Sequence, residues 1–245
     1  MALWPREHGA YAQLLVPLAV SFALRSPTRG ARLIAAGACF AFVATQPLRV
    51  VMRRRSGATR AARRLAMTSI GAVVMGMTGL ALAPRSTVAV AGIVGAPAAI
   101  TMVLLYRRRE HSLGGELVAA VALCGAAAVV ASASGLAWQR AAALWTAWTL
   151  GYGATIVAVH RVIARHKRPP SRFDRIVALG PSMVALLAIA AAAVRVEAVA
   201  AVPLATIATA IVLHPPRASR LRPVGMAIVV ASIASALLVV GLAPT

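Results

Sequence analysis

The chain of 245 residues carries 26 Lys+Arg against 5 Asp+Glu, a formal net charge of +21, yet 60% of its residues are hydrophobic and only 13% are charged. A soluble domain carries about 25% charged residues, and a nucleic-acid-binding module does not combine a sequence pI near 12.0 with a mean hydropathy of +0.82. An apolar excess and a basic excess together exclude both and describe a single integral membrane domain over residues 1–245.

Nine apolar segments follow one another: Leu3–Leu24, Leu33–Val51, Leu65–Ala83, Thr87–Tyr106, Gly115–Ser134, Ala141–Ile163, Ile176–Val194, Ala198–Leu213 and Val224–Leu242. Most approach the ~20 residues that cross about 30 Å of hydrocarbon, the eighth being the shortest. Backbone N–H and C=O groups in lipid must pair internally, and these runs lack the alternation of a barrel strand, so the fold class is an all-α polytopic bundle of about nine transmembrane helices. Pro17, Pro47, Pro97, Pro181 and Pro203 fall in or at the ends of segments, where a proline can kink a helix and free a carbonyl. Ala72/Gly76, Ala91/Gly95 and Gly92/Ala96 have the small-xxx-small spacing of close helix contacts. Cys39 and Cys124 both lie inside apolar runs and make neither a disulfide framework nor a metal site. The first segment opens on Trp4-Pro5-Arg6-Glu7-His8 with no small-residue cleavage site closing it, and so reads as a retained span and not as a leader.

The basic residues set the orientation. With the N-terminus inside, 20 of the 26 fall on the cytoplasmic side: Arg6, the seven from Arg49 to Arg64, Arg107–Arg109, the six from Arg161 to Arg175, and the three from Arg217 to Arg222. Arg25, Arg29, Arg32, Arg85, Arg140 and Arg195 make up the other six. That asymmetry across short loops is the positive-inside pattern and places the C-terminus outside. The expected partners are membrane lipids and the anionic cytoplasmic leaflet of the cell membrane, with no nucleic acid.

The chain has five acids, and four of them are weighed singly. Glu7 and His8 stand at a helix entrance before an apolar stretch, as an acid/base or ligand pair if Pro5–Gly9 is partly unwound, or with Glu7 simply neutralising Arg6 at the headgroups. Glu116 follows Gly114-Gly115 at the start of segment five, where it either complements the helix dipole or points into the bundle towards Arg109 and His111; Ser112 is available as the cap. Asp174 among Arg172 and Arg175, and Glu197 beside Arg195, read as loop ion pairs. The clusters Arg53–Arg55 and Arg107–Arg109 suit phosphate, although topology alone accounts for them. His160 and His166 lie six residues apart and do not share a helix face, so no metal is expected there. Trp145, Trp148 and Tyr152 recur along one face of segment six and read as an outer aromatic belt more readily than as a quinone or carotenoid site. No Walker loop, dinucleotide fingerprint or Ser-His-Asp set is present.

The opening Pro5-Arg6-Glu7-His8-Gly9-Ala10-Tyr11, followed by Leu14-Leu15-Val16-Pro17, resembles the N-terminal signature of the YwiC-like family of bacterial integral membrane proteins. Thr45-Gln46-Pro47-Leu48 and Gly115-Glu116-Leu117 share that resemblance, which implies no established activity. The nine-helix plan is more distantly similar to the UbiA-type prenyltransferases, whose aspartate-rich loops hold magnesium and an isoprenyl diphosphate. Here those loops offer arginines after Gln46-Pro47-Leu48 and only Asp174 after segment six, so a magnesium-diphosphate mechanism has lost its ligands.

The functional expectation is a lipidic or isoprenoid-type ligand in a cytoplasm-facing cavity. Glu7 and His8 are the candidate catalytic pair, Gln46, Arg53, Arg109 and Glu116 the candidate ligand-binding residues, and no metal or cofactor is expected. A metal-independent transferase and a small-molecule transporter are the alternatives.

Overall fold

The computed structural model describes residues 8–52, 58–165, 172–216 and 221–243, with backbone alone at His8, residues 172–178 and Leu221. Among the described residues there is no strand, and each apolar segment is a helix: α1 (His8–Leu24), α2 (Arg29–Met52), α3 (Ala58–Ala81), α4 (Arg85–Tyr106), α5 (Leu113–Ala133), α6 (Trp138–Arg165), α7 (Arg172–Ala192), α8 (Val202–Leu213) and α9 (Leu221–Leu242). Seven stretches are long and apolar enough to cross a membrane, and Gly9–Leu24 and Leu179–Ala192 are shorter apolar helices. The protein is a multi-pass all-α membrane bundle.

The helices outrun their apolar cores. Residues 58–64, read as loop from their arginines, form the first two turns of α3, because Ala and Arg are strong helix formers and a helix continues past the hydrocarbon into the headgroups. Asp174 likewise belongs to the first turn of α7 and not to a loop, although its side chain lies outside the described residues. The eighth segment is split: Val196–Ala201 is a 3₁₀ turn and α8 begins at Val202, where Pro203 lacks an N–H that the first helical turn does not need.

α5 and α6 form the centre. α5 packs against α1, α2, α4 and α6, while α6 packs against α7, α8 and the 3₁₀ turn; α9 closes against α1 and α8. Lipid gives helices no hydrophobic reason to associate, so contact rests on close packing of small side chains. α5 accordingly buries Ala120, Gly125, Ala127, Ala128, Ala131 and Ala133. α3 packs on α2 and makes no comparable contact with any other helix among the described residues.

The α2–α3 contact is backbone to backbone. A Cβ on Gly37 would stand 2.9 Å from the Gly76 nitrogen and 3.1 Å from the Ala72 oxygen, and a Cβ on Gly79 would stand 2.8 Å from the Ile34 nitrogen. The Ala72/Gly76 spacing therefore does what its pattern predicts. Gly92 and Gly95 on α4 do not: a Cβ on either would meet nothing within 4 Å, so the small residues there face outward.

Proline's cost is repaired locally. Pro17 cannot donate to the Gln13 carbonyl, and the Cys124 thiol of α5 takes that oxygen at 3.8 Å. Ser21 Oγ lies 3.0 Å from both the Pro17 and the Ala127 oxygens, joining α1 to α5 a second time. At the end of the bundle away from the arginine clusters, Thr28 Oγ1 accepts from the Ala31 N–H at 3.1 Å, capping α2, and donates to the last carbonyl of α5, Ala133, at 2.9 Å.

Candidate functional site

Among the described residues, the carboxylates and their basic partners gather at the two ends of the bundle. At the basic end, α4 stops at Tyr106 and the chain turns through Arg108, which adopts φ 57°, the left-handed conformation that ends many helices. Ser112 then caps α5, its Oγ accepting from the Gly115 N–H at 3.1 Å while donating to the Arg109 carbonyl at 2.7 Å. The turn folds so tightly onto α5 that a Cβ on Gly115 would fall onto the Arg109 carbonyl and within 2.9 Å of that of Glu110. Only glycine fits there, which explains the second residue of Gly114-Gly115.

That fold-back buries Glu110, whose residue is 8% exposed. Its carboxylate lies 4.0 Å from Arg49 Nε of α2 and 3.8 Å from His111 Nε2. An unpaired carboxylate at such burial costs several kcal/mol, so the neighbouring guanidinium and imidazole are what make the position tenable. Less than two turns further on, Glu116 Oε2 meets His160 Nε2 of α6 at 2.9 Å, with the two side chains 37% and 27% exposed. This contact is a hydrogen bond whichever partner holds the proton, and an ion pair when the imidazole is charged. The turn before α5 and the first turn of α5 thus present two carboxylates, Glu110 directed to α2 and Glu116 to α6.

The expected residues distribute as follows. Glu7 and Arg53 lie outside the described residues, and His8 opens α1 with its side chain outside them. Tyr11 packs edge-on against Phe42 at 5.1 Å between ring centroids, so the start of α1 lies at the depth of the last turns of α2, where Gln46 is half-buried. Arg109 is exposed and acts on the turn through its carbonyl. Glu116 is met by His160, a histidine the sequence reading weighed only for metal, and not by Arg109 or His111. Glu110 and Arg49 were missed. Their signal was an acid directly after three arginines, and one arginine set a turn nearer the membrane than the rest of its cluster.

Two further readings are corrected at the opposite end and in the core. Glu197 is 3% exposed and its Oε1 lies 2.5 Å from Arg140 Nε at the start of α6, so its partner is Arg140 and not Arg195. Trp148 and Tyr152 are fully buried, stacked at 5.8 Å, with Tyr152 donating to Ser232 of α9 at 3.0 Å. Helix packing surrounds that face of α6, so these rings are core and not a lipid-facing belt. Trp145 is partly buried and donates to the Val121 carbonyl at 2.9 Å.

No curated protein and no solved structure matches the chain. A family model described as YwiC-like protein matches residues 4–131, which takes in α1 through all but the last residues of α5 and both carboxylates of the basic-end turn. The match spans more than half of the sequence, and the chain belongs to the YwiC-like family.

Proposed function

We propose that the protein binds a lipidic or isoprenoid-type amphiphile whose polar end is taken at the basic end of the bundle, with that end facing the cytoplasm. The observation that carries the reading is the pair of carboxylates in the α4–α5 turn and the first turn of α5, Glu110 beside Arg49 and Glu116 bonded to His160. Ionisable groups at membrane depth are costly and are commonly kept for substrates or protons. A carboxylate–imidazole contact can hold or pass one proton, while the guanidinium groups of Arg49, Arg53 and Arg109 suit a phosphate or another anionic head. Glu7, His8 and Gln46 complete the candidate set; Glu7 lies outside the described residues, while His8 opens α1 and Gln46 lies in the last turns of α2.

The test is the lipid that copurifies. Mass spectrometry of protein extracted from its native membrane is expected to find one amphiphile in stoichiometric amount, lost in Glu116→Gln and in His160→Ala. Purified protein carrying only bulk lipid in proportion to its membrane would overturn the reading. Joining of a labelled isoprenyl diphosphate to an acceptor would instead identify a transferase, and substrate-dependent flux into proteoliposomes a transporter. Tags read from opposite sides of the membrane, the N-terminal one in the cytoplasm, are expected for the orientation.

A further inference from the structure

α2 and α3 touch through glycine backbones at Gly30/Gly79 and Gly37/Gly76, and the Phe40 ring sits over Gly71. Beside that seam they leave an open groove of about 760 Å³ lined from α2 by Ala36, Cys39, Val43 and Pro47 and from α3 by Arg64 and Met67 among others. From Ala36 to Pro47 is 11 residues of helix, about 16 Å, or roughly half the hydrocarbon thickness. The groove therefore begins near mid-membrane and ends at the headgroups of one leaflet. Its volume falls in the ~300–1,000 Å³ range of sites that enclose a small ligand. Its wall is apolar except for Thr68 and, at the basic end, Arg64, the single charged residue on the lining among the described residues, with Arg60 and Arg63 exposed nearby on α3.

We propose that this groove is a binding site for an anionic phospholipid, with one acyl chain lying between α2 and α3 and the phosphate held by Arg64. The length matches one leaflet, the wall matches a hydrocarbon chain, and the charge at the open end matches a phosphodiester. Because α3 has no other substantial helix partner among the described residues, the lipid supplies packing that those helices do not. The site is separate from the α5 carboxylates and does not rest on the reading proposed for them.

Cys39 lines the groove while Cys124, the other cysteine, is fully buried, so alkylation reports occupancy at one position. Full-length protein in a neutral detergent is titrated with phosphatidylglycerol, phosphatidylcholine or inorganic phosphate, and Cys39 is challenged with a small maleimide. Phosphatidylglycerol is expected to slow alkylation at least tenfold, phosphatidylcholine several-fold less, and phosphate alone not at all. Arg64→Gln is expected to remove the preference between the two lipids, and Ala36→Phe, which fills the groove, to abolish protection by both. Native mass spectrometry of the same samples counts retained lipid, so that a folded variant is distinguished from a collapsed one. Equal protection by the two lipids in the unaltered protein, or an undiminished preference in Arg64→Gln, overturns the proposal; neither result bears on the amphiphile sought with Glu116→Gln.

Discussion

Replacing Gly37 and Gly76 by alanine makes opposite demands on one interface. A Cβ on Gly37 would stand 2.9 Å from the Gly76 nitrogen and 3.1 Å from the Ala72 oxygen, both backbone atoms that no rotamer change can move, whereas a Cβ on Gly76 would meet nothing within 4 Å. Ordinary contact begins near 3.4 Å, so Gly37→Ala requires α3 to withdraw by about 0.5 Å along a seam that is its main attachment. Overpacking of this kind costs about 1–3 kcal/mol. Exchanging glycine for alanine inside a helix returns roughly 1 kcal/mol, but that gain is common to both variants and cancels between them. Gly37→Ala is thus expected to be about 1–3 kcal/mol less stable than Gly76→Ala, which itself matches or slightly exceeds the unaltered protein. Reversible unfolding in mixed micelles, followed by helical signal as denaturing detergent is titrated in, measures the difference. Equal stabilities, or the opposite order, would refute the close approach of α2 and α3.

Three further outcomes follow from the same packing. Arg140→Ala leaves the 3%-exposed Glu197 carboxylate without its partner and is expected to cost about 3–5 kcal/mol, most of it recovered when Arg140→Met is combined with Glu197→Leu; additive losses in that cycle would show the two groups to be uncoupled. Arg108→Gly relieves a left-handed residue at φ 57° and is expected to raise the unfolding midpoint by an amount equivalent to about 1 kcal/mol, an unchanged or lowered midpoint being the contrary result. A variant whose only tryptophan is Trp148 is expected to resist quenching by both aqueous iodide and brominated lipid, while one retaining only Trp138, 39% exposed, is quenched readily.

Helix order was legible because a bilayer leaves the backbone few options other than a helix, and successive apolar runs, seven of them long enough to span among the described residues, state it repeatedly. What a single sequence withheld was which side of each helix faces a neighbour. The run Trp145, Trp148, Tyr152 has a spacing that a belt and a buried stripe share, and only the helices packed around α6 decide for the stripe. The same ambiguity separates Gly76, which meets Gly37, from Gly92, which faces outward, although both occupy small-xxx-small pairs. Glu116 was visible as an isolated acid, but its partner His160 lies 44 residues away on another helix, a distance no local pattern spans. Glu110 was hidden for the opposite reason: the arginines before it account for themselves through topology and drew it into their explanation.

The acids also constrain what the arginines do. All three carboxylates whose side chains are described are already engaged, Glu110 beside Arg49 and His111, Glu116 with His160, and Glu197 with Arg140. The whole sequence sets 26 Lys+Arg against 5 Asp+Glu, and Glu110, Glu116 and Glu197 are already committed within the bundle. Charge of that density cannot be balanced from inside the chain. Anionic headgroups are the available counter-charge at a membrane surface, each nearby basic residue contributing about 1 kcal/mol of attraction. Arg60, Arg63 and Arg64 stand exposed on α3, and on the proposal that a lipid phosphate binds there, raising ionic strength is expected to weaken the hold of anionic lipid on α3 while leaving the bonded Glu116–His160 pair in place.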